Sequence, residues 1–251
     1  MRLAVLNDIH GNLPALDAVL GDVDRAGVDA VVCGGDVIVG PQSREVLDRL
    51  SALSMPVHYV YGNCETAVLE QLAGRKPPAV PDAFLPTIVW TAAQVGPQYG
   101  EALRAWPKTL RLGVDGIGDV VFCHGTPRDE NEIFTRLTPE ERLRPLFDPL
   151  EAALVVCGHT HVQFDRQVGA TRVVNAGSVG MPWGRAGADW LIVGPRVELR
   201  RTHYDVAAAA AAVEAAGYPD ANGFFVRSVL TPPAADEMER AFEQASLRSA
   251  P

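Results

Sequence analysis

Five short clusters of polar residues each follow an apolar run, and together they carry side chains that bind transition metals. In chain order they are Asp8-Ile9-His10-Gly11-Asn12, Gly34-Gly35-Asp36, Gly62-Asn63-Cys64-Glu65, His124-Gly125 and Gly158-His159-Thr160-His161. Carboxylates, neutral imidazoles and an amide oxygen, without thiolate ligands, suit Mn²⁺, Fe, Ni²⁺ or Zn²⁺. Four of the six histidines lie in these clusters. The residue types therefore predict a site for divalent transition metals.

The joint occurrence of these clusters matters more than any one of them. A single D-x-H or G-G-D sequence is usually a turn with a solvated carboxylate. The G-H-x-H sequence is a stronger signal, because two histidines on one short turn have few structural uses. Five such turns, each at the end of a predicted strand, are hard to explain by packing alone. The metal-site interpretation is therefore favoured over five unrelated turns.

The apolar runs that precede the clusters predict buried β-strands. They cover residues 3–6, 30–33, 57–61, 120–123 and 154–157, and glycines bound them. Helical patterns lie between the first three strands, with Pro14 and Ser43 at helix starts, so the order is β-α-β-α-β. The carboxyl ends of strands in an open α/β sheet are where a site assembles.

Later strands are predicted at residues 171–175, 190–193 and 197–202, and their short spacing suggests a second, more antiparallel sheet. The predicted fold is α/β, a four-layer αββα sandwich of two mixed β-sheets flanked by helices. We predict one domain over residues 1–251, with a helical cap inserted at about residues 74–107. After Asp205 as N-cap, residues 207–216 predict an ordinary helix.

The charge balance of the chain and the lengths of its apolar runs narrow the classes of protein to which it could belong. The chain has 251 residues, 22 basic against 31 acidic, and a net charge of −9, so no basic stripe predicts binding to a nucleic-acid backbone. No apolar run approaches the ~20 residues that span a bilayer, so no membrane association is expected. The first residues lack the features of a signal peptide, which predicts a cytoplasmic protein. The four cysteines form no C-x-x-C pair. A homo-oligomer is compatible with the sequence.

In order along the chain, the five clusters resemble the signature of the calcineurin-like metallophosphoesterases. That signature reads D-x-H, G-D, G-N-[HC]-[DE], H and G-H-x-H, and it covers Asp8 to His161 here. Residues 175–180 further resemble the N-x-G-S-V-G turn of the small bacterial phosphodiesterase-like branch. The resemblance implies a two-metal-dependent phosphodiesterase or phosphatase, in which a metal-bridging hydroxide attacks a small-molecule or nucleotide phosphoester.

The resemblance also implies a role for each site residue. One metal would be bound by Asp8, His10, Asp36 and His161, and the other by Asp36, Asn63, His124 and His159. Asp36 would bridge the two metals. Asn63, His124 and Cys64 are predicted as catalytic residues, and Asn12, Asn63 and Arg128 as contacts to the phosphate. For Arg128, a surface ion pair with Asp129 or Glu130 is the alternative.

Cys64 is a departure from the pattern of many relatives. They carry histidine at this position, where it assists the leaving group, although the small phosphodiesterase-like branch has cysteine. A thiol with a reference pKa of ~8.5 is a weaker acid than imidazolium, which puts leaving-group protonation by Cys64 in doubt. The alternative is a small packed residue beside the site.

Two other functions are alternatives to a metal-dependent phosphoesterase. A serine hydrolase could use Ser178 with Asp189 and His203, but the first glycine of the nucleophile motif is missing. A non-catalytic scaffold is the second, since the family includes such a subunit, yet all seven ligand positions are filled here. The ester class stays open. We expect residues 74–107, with Trp90, Tyr99 and Trp106, and the loop of residues 126–134 to form the substrate-selecting wall.

Overall fold

The computed structural model describes residues 1–77 and 80–247, and these form ten strands and eight α-helices. The strands are β1 (Leu3–Leu6), β2 (Ala30–Gly34), β3 (Val57–Val60), β4 (Thr109–Val114), β5 (Gly118–Cys123), β6 (Leu154–Cys157), β7 (Phe164–Val168), β8 (Thr171–Asn175), β9 (Ala188–Val193) and β10 (Val197–Thr202). The helices are α1 (Leu13–Ala26), α2 (Ser43–Ser51), α3 (Asn63–Leu72), α4 (Leu85–Arg104), α5 (Glu140–Phe147), α6 (Val206–Ala216), α7 (Phe224–Leu230) and α8 (Ala235–Gln244).

The first sheet has the strand order β10-β9-β1-β2-β3. Strands β1, β2 and β3 are parallel, and Cys33 is in register with Leu6 on one side and with Tyr59 on the other. Because parallel strands end at the same edge of a sheet, the polar residues after β1, β2 and β3 are brought together there.

The second sheet has the order β4-β5-β6-β8-β7, in which β5, β6 and β8 are parallel and β4 and β7 are antiparallel. The second sheet was predicted to be more antiparallel than the first, but each sheet has two parallel and two antiparallel strand pairings. Strands β9 and β10, which were predicted in that sheet, join the first one instead, where β9 pairs antiparallel with β1. The pairing satisfies the backbone groups on the free edge of β1, which would otherwise be buried without partners.

Alternate side chains of each strand belong to different cores, as the two-residue period of a strand requires. In β1, Leu3 and Val5 pack between the two sheets, with Phe122 of β5 and Val156 of β6. Ala4 and Leu6 point the other way and pack with the helices that cover the first sheet. Helix α5 covers the outer face of the second sheet with Leu143 and Phe147. Two mixed five-stranded sheets flanked by helices confirm the predicted αββα fold.

Helix α4 occupies most of the segment that was predicted as a cap, and it is kinked where Gly96, with a φ of 66°, precedes Pro97. Its buried face packs into the core of the first sheet through Ile88, Val95 and Leu103. Helices α6 and α7 form a further apolar cluster near the chain end. Over residues 1–77 and 80–247, none of the helices has the length and apolarity that crossing a bilayer requires.

One buried carboxylate joins the turn after β2 to the start of α3. The Glu65 side chain accepts hydrogen bonds from the backbone N–H groups of Asp36, Val37, Ile38 and Gly62, at 2.7 to 3.2 Å. Glu65 is fully buried. A single side chain therefore fixes two of the polar turns relative to each other.

We predict that Glu65→Gln lowers the free energy of unfolding by about 1–3 kcal/mol, because an amide NH₂ would face buried N–H donors that now share a carboxylate oxygen. Urea unfolding of the metal-free protein measures this. Glu70→Gln is the matched control, since Glu70 lies on the same helix but on its surface, paired with Arg75. Equal stability of the two variants would show that Glu65 does not organise the turns.

Candidate metal centre

The five turns converge at one edge of the sandwich, and their backbone conformation is unusual. Five residues with polar side chains have left-handed φ values of 49 to 69°: Asp8, His10, Asp36, His159 and His161. This region is uncommon outside glycine and costs of order 1–3 kcal/mol for each residue unless its surroundings enforce it. Backbone hydrogen bonds between turns supply that enforcement, for example Asp8 N–H to the Gly35 carbonyl (3.0 Å) and His10 N–H to the Asp36 carbonyl (2.9 Å).

The structure brings all seven predicted metal ligands into one cluster, in which Asn63 and His159 are half-buried and the other five are buried. Asp8, His10 and His161 could together hold one cation, and Asp36, His124 and His159 another. Within each group the ligating atoms lie within 4.8 Å of one another. His10 also lies 3.8 Å from Asp36, measured from Nε2 to Oδ2, so the two groups adjoin.

Individual separations match what ligands of a common ion would show. His161 Nε2 lies 3.3 Å from Asp8 Oδ1, and His124 Nε2 lies 3.4 Å from Asp36 Oδ1. Asn63 Oδ1 is 3.0 Å from His124 Nε2, which places the Asn63 amide at the second group. Two ligands that each bind an ion at about 2.0–2.2 Å are about 3 Å apart when their bonds meet near a right or tetrahedral angle.

Several buried polar atoms in the cluster lack the partners that buried groups normally have. Asp8 Oδ1 and His159 Nε2 make no hydrogen bond among the described residues. More than nine in ten buried polar groups are ordinarily paired, so an unpaired carboxylate oxygen and an unpaired imidazole nitrogen in one cluster need a reason. A cation in each ligand group would satisfy these two atoms, and the donor set therefore fits a metal centre.

Backbone carbonyls orient two of the imidazoles. The Nδ1 atoms of His124 and His161 lie 3.0 Å and 2.8 Å from the carbonyl oxygens of Gly34 and Met181. Because a carbonyl can only accept, Nδ1 carries the proton and Nε2 is aimed at the cluster as a ligand. The Trp183 ring also stacks on His161, at a centroid distance of 5.3 Å.

The electrostatics of the cluster favour ionised carboxylates and, in part, neutral imidazoles. Burial would raise the pKa of Asp36, but the neighbouring His124 outweighs it and lowers that pKa. Burial lowers the pKa of His10 and of His159 to about 4. For His124 burial acts the same way, yet Asp36 and Asp8 outweigh it and raise the pKa to about 10. A protonated His124 thus offsets part of the carboxylate charge in the metal-free protein.

Cys64 lies at the start of α3 and contacts Asp36 twice. Its backbone N–H donates to Asp36 Oδ1 at 2.8 Å, and its thiol donates to Asp36 Oδ2 at 3.1 Å. Burial, followed by the charge of Asp36, raises the pKa of the Cys64 thiol well above its ordinary value. This close approach requires Gly62, because a Cβ atom there would lie 2.3 Å from Asp36 Oδ1.

Two predicted phosphate contacts are placed elsewhere. Asn12 is fully buried and caps helix α1, accepting from Ala15 N–H at 3.2 Å. Its NH₂ group donates to the Gly180 carbonyl and to the Tyr204 hydroxyl. The structure thus gives Asn12 a role in capping α1, and its contact to a phosphate stays a prediction. The side chain of Arg128 is 62 % exposed and pairs with Glu132, not with the centre and not with Asp129 or Glu130.

The structure also contradicts the serine-hydrolase alternative. Ser178 is fully buried, and its hydroxyl donates to the Asp8 carbonyl at 2.7 Å while accepting from Met181 N–H. Asp189 pairs with Arg201, and His203 is exposed. Ser178 therefore supports the turn that carries Asp8 instead of acting as a nucleophile.

A cavity of about 200 Å³ opens beside the centre, with His10, Asn63 and Cys64 on its floor. Part of its wall comes from the segment predicted to select substrates, through Phe84, Thr87 and Ile88. The aromatic residues named in that prediction serve the packing instead: Trp106 stacks on Tyr59 at 4.3 Å, Tyr99 donates to Asp48, and Trp90 meets Tyr218 edge to face.

The rest of the wall was missed at the level of sequence. It includes Tyr218, just after α6, and Phe224 and Phe225, at the start of α7. The signal that could have found it is the Gly223-Phe224-Phe225 sequence, an aromatic pair at a glycine turn. No residue of the predicted loop 126–134 lines this cavity.

Comparisons with known proteins agree with this architecture. An uncharacterized protein of Methanocaldococcus jannaschii is 26% identical over 227 residues, which cover 81% of this chain and 88% of that protein. The crystal structure of a hypothetical protein from Pyrococcus horikoshii OT3 superposes with a TM-score of 0.78 at 21% identity, covering 90% of this chain and 96% of the other. That of a metallophosphoesterase from Sphaerobacter thermophilus gives a TM-score of 0.69 at 27% identity, with coverage of 91% and 98%. Residues 1–194 match the family model of the calcineurin-like phosphoesterase superfamily domain, so the chain belongs to that superfamily.

Proposed function

We propose that this protein hydrolyses a small-molecule or nucleotide phosphoester with the help of two divalent transition-metal ions. The observation that carries the proposal is the pair of adjoining ligand groups, Asp8, His10 and His161 on one side and Asp36, His124 and His159 on the other. When bound, such ions supply Lewis-acid stabilisation and a nucleophile at neutral pH. A complete donor set with unpaired buried atoms supports an enzyme over a scaffold that has lost its ligands.

The side chains of this chain would divide the work between them. Asp36 would be shared by both ions, because its two oxygens face His124 and His10 respectively. Asn63 would complete the second group from the first turn of α3, where the positive end of the helix dipole favours an anion. The raised pKa of His124 means that metal binding would have to displace its proton. A cytoplasmic location stays a prediction.

The first test of the function is metal content together with hydrolysis. After reconstitution with Mn²⁺, Ni²⁺ or Zn²⁺, we expect about two ions per chain, as in two-metal phosphoesterases, and hydrolysis of 4-nitrophenyl phosphate or bis(4-nitrophenyl) phosphate. Elemental analysis and absorbance of the released nitrophenolate measure these quantities. Absence of bound metal after reconstitution, or activity that persists in excess chelator, would contradict the proposed function.

The second test separates the two ligand groups. Asp36→Asn should empty both sites, because the two oxygens of this carboxylate face His124 of one group and His10 of the other, whereas His161→Ala should leave about one ion per chain. Metal content of the purified, reconstituted variants gives the answer. His203→Ala, an exposed histidine outside the cluster, serves as the control and should retain the wild-type content. Equal metal loss in the Asp36 and His161 variants would show that Asp36 is not shared.

The third test concerns Cys64, whose thiol proton points at Asp36 and whose pKa is raised. We expect Cys64→Ala to reduce kcat/KM much less than the ~10²–10⁴-fold loss that follows removal of a general acid. Cys64→Ser, which keeps a donor to Asp36, should lie closer to wild type. The measurement is kcat/KM for aryl and alkyl phosphoesters. A loss of several hundredfold confined to alkyl leaving groups would mean that Cys64 protonates them.

A further inference from the structure

From the cavity beside the metal centre we infer that the substrate carries one uncharged aromatic ring on its phosphate, and not a second phosphate or another anionic group. The inference rests on the proposed function, because it places the phosphoryl group at the cavity floor. There, His10 and Asn63 line the cavity and also belong to the cluster that could hold the metals. The walls then face the organic part of the ester.

The size of the cavity limits the organic group to about one ring. Its volume is about 200 Å³. Pockets for drug-sized ligands are larger, at about 300–1,000 Å³, whereas an apolar cavity of about 150 Å³ in another protein accepts benzene. The space therefore suits a phenyl-sized group and a short linker, and is too small for the second half of a dinucleoside polyphosphate.

The wall contains aromatic rings that contact one another and the residues beside the metal centre. Phe84 and Phe224 meet edge to face at a centroid distance of 5.5 Å. Phe224 also contacts Trp183 at 6.1 Å, and Trp183 stacks on His161. A continuous chain of rings thus connects the wall to a residue of the metal cluster. A ring that enters the cavity would gain edge or stacking contacts without having to order the wall.

The charges at the cavity argue against an anionic substituent. Among the described residues that line it there is no lysine or arginine, and the acidic side chain is Asp220. Both oxygens of Asp220 are occupied by the first turn of α7, accepting from Phe225 N–H at 2.8 Å and Val226 N–H at 3.1 Å. A second phosphate or a carboxylate would lose its hydration without gaining a cation.

The inference is tested with three phosphonates that cannot be hydrolysed and that share the phosphoryl end: benzylphosphonate, ethylphosphonate and 2-carboxyethylphosphonate. Titration calorimetry on the Mn²⁺-reconstituted protein should show benzylphosphonate binding at least about tenfold more tightly than ethylphosphonate, as burial of a ring predicts. The carboxyethyl compound should bind no more tightly than the ethyl one. Equal affinities for all three, or a preference for the carboxylate, would overturn the inference.

Three variants test whether this wall causes the preference for the benzyl compound. Phe224→Ala should reduce the benzyl-to-ethyl affinity ratio by about threefold to tenfold. Phe242→Ala removes a half-buried phenylalanine of α8 that does not line the cavity, and it should keep the wild-type ratio. Should Phe224→Ala not fold, Ala221→Leu, which fills the cavity, should abolish the benzyl preference alone. An unchanged ratio in the folded variant refutes the assignment of this wall.

Hydrolysis distinguishes this inference from the proposed function. Benzyl and ethyl phosphate have alkoxide leaving groups, and benzyl phosphate should have the higher kcat/KM. If these and the nitrophenyl esters are not hydrolysed by the reconstituted protein, the proposed function is wrong, while a benzyl preference in binding would still support the cavity assignment. If the protein hydrolyses the esters but shows no preference for the benzyl group, the proposed function is supported and the inference about the substrate is wrong.

Discussion

The whole site depends on one electrostatic constraint, the burial of Asp8 and Asp36 close to each other. Burial and mutual repulsion oppose the ionisation of such a pair, so the fold must supply positive charge or strong hydrogen-bond donors. In the metal-free protein a protonated His124 and the N–H groups of Cys64 and His159 do part of this. The fit of cations to this cluster follows from the same requirement, because two ions would neutralise the carboxylates far more completely than one imidazolium.

The turns around the site, helix α3 and the loop after β8 hold Asp8 and Asp36 in position. The turns around Asp8 and Asp36 take left-handed conformations that only a dense set of backbone hydrogen bonds maintains. Glu65 ties the Asp36 turn to helix α3, and Ser178 ties the Asp8 turn to the loop after β8. The first residues of α3 thus have separate tasks: Asn63 faces His124, Cys64 binds Asp36, and Glu65 satisfies the backbone around it.

The sequence was sufficient to predict the parallel strands and the convergence of the seven predicted ligand residues. Each of these residues follows its strand within a few positions, and parallel strands end at the same edge of a sheet. It was insufficient where distant segments meet. The pairing of β9 with β1 and the contribution of Phe224 to the cavity join residues that are far apart in the chain. The capping role of Asn12 has a local signal, because the Asn12-Leu13-Pro14 sequence is a helix start and its side-chain oxygen accepts from Ala15 N–H.

The superfamily match covers residues 1–194, whereas Tyr218, Phe224 and Phe225 of the cavity wall lie beyond it. Part of the wall that would choose the substrate is therefore encoded outside the stretch that holds the predicted ligands, while Phe84, Thr87 and Ile88 of the same wall lie within that stretch. Substitutions in the later stretch can reshape the wall while every predicted ligand is kept. Relatives that share every metal-cluster residue can then diverge in the esters they accept, and their shared signature carries no information about that choice.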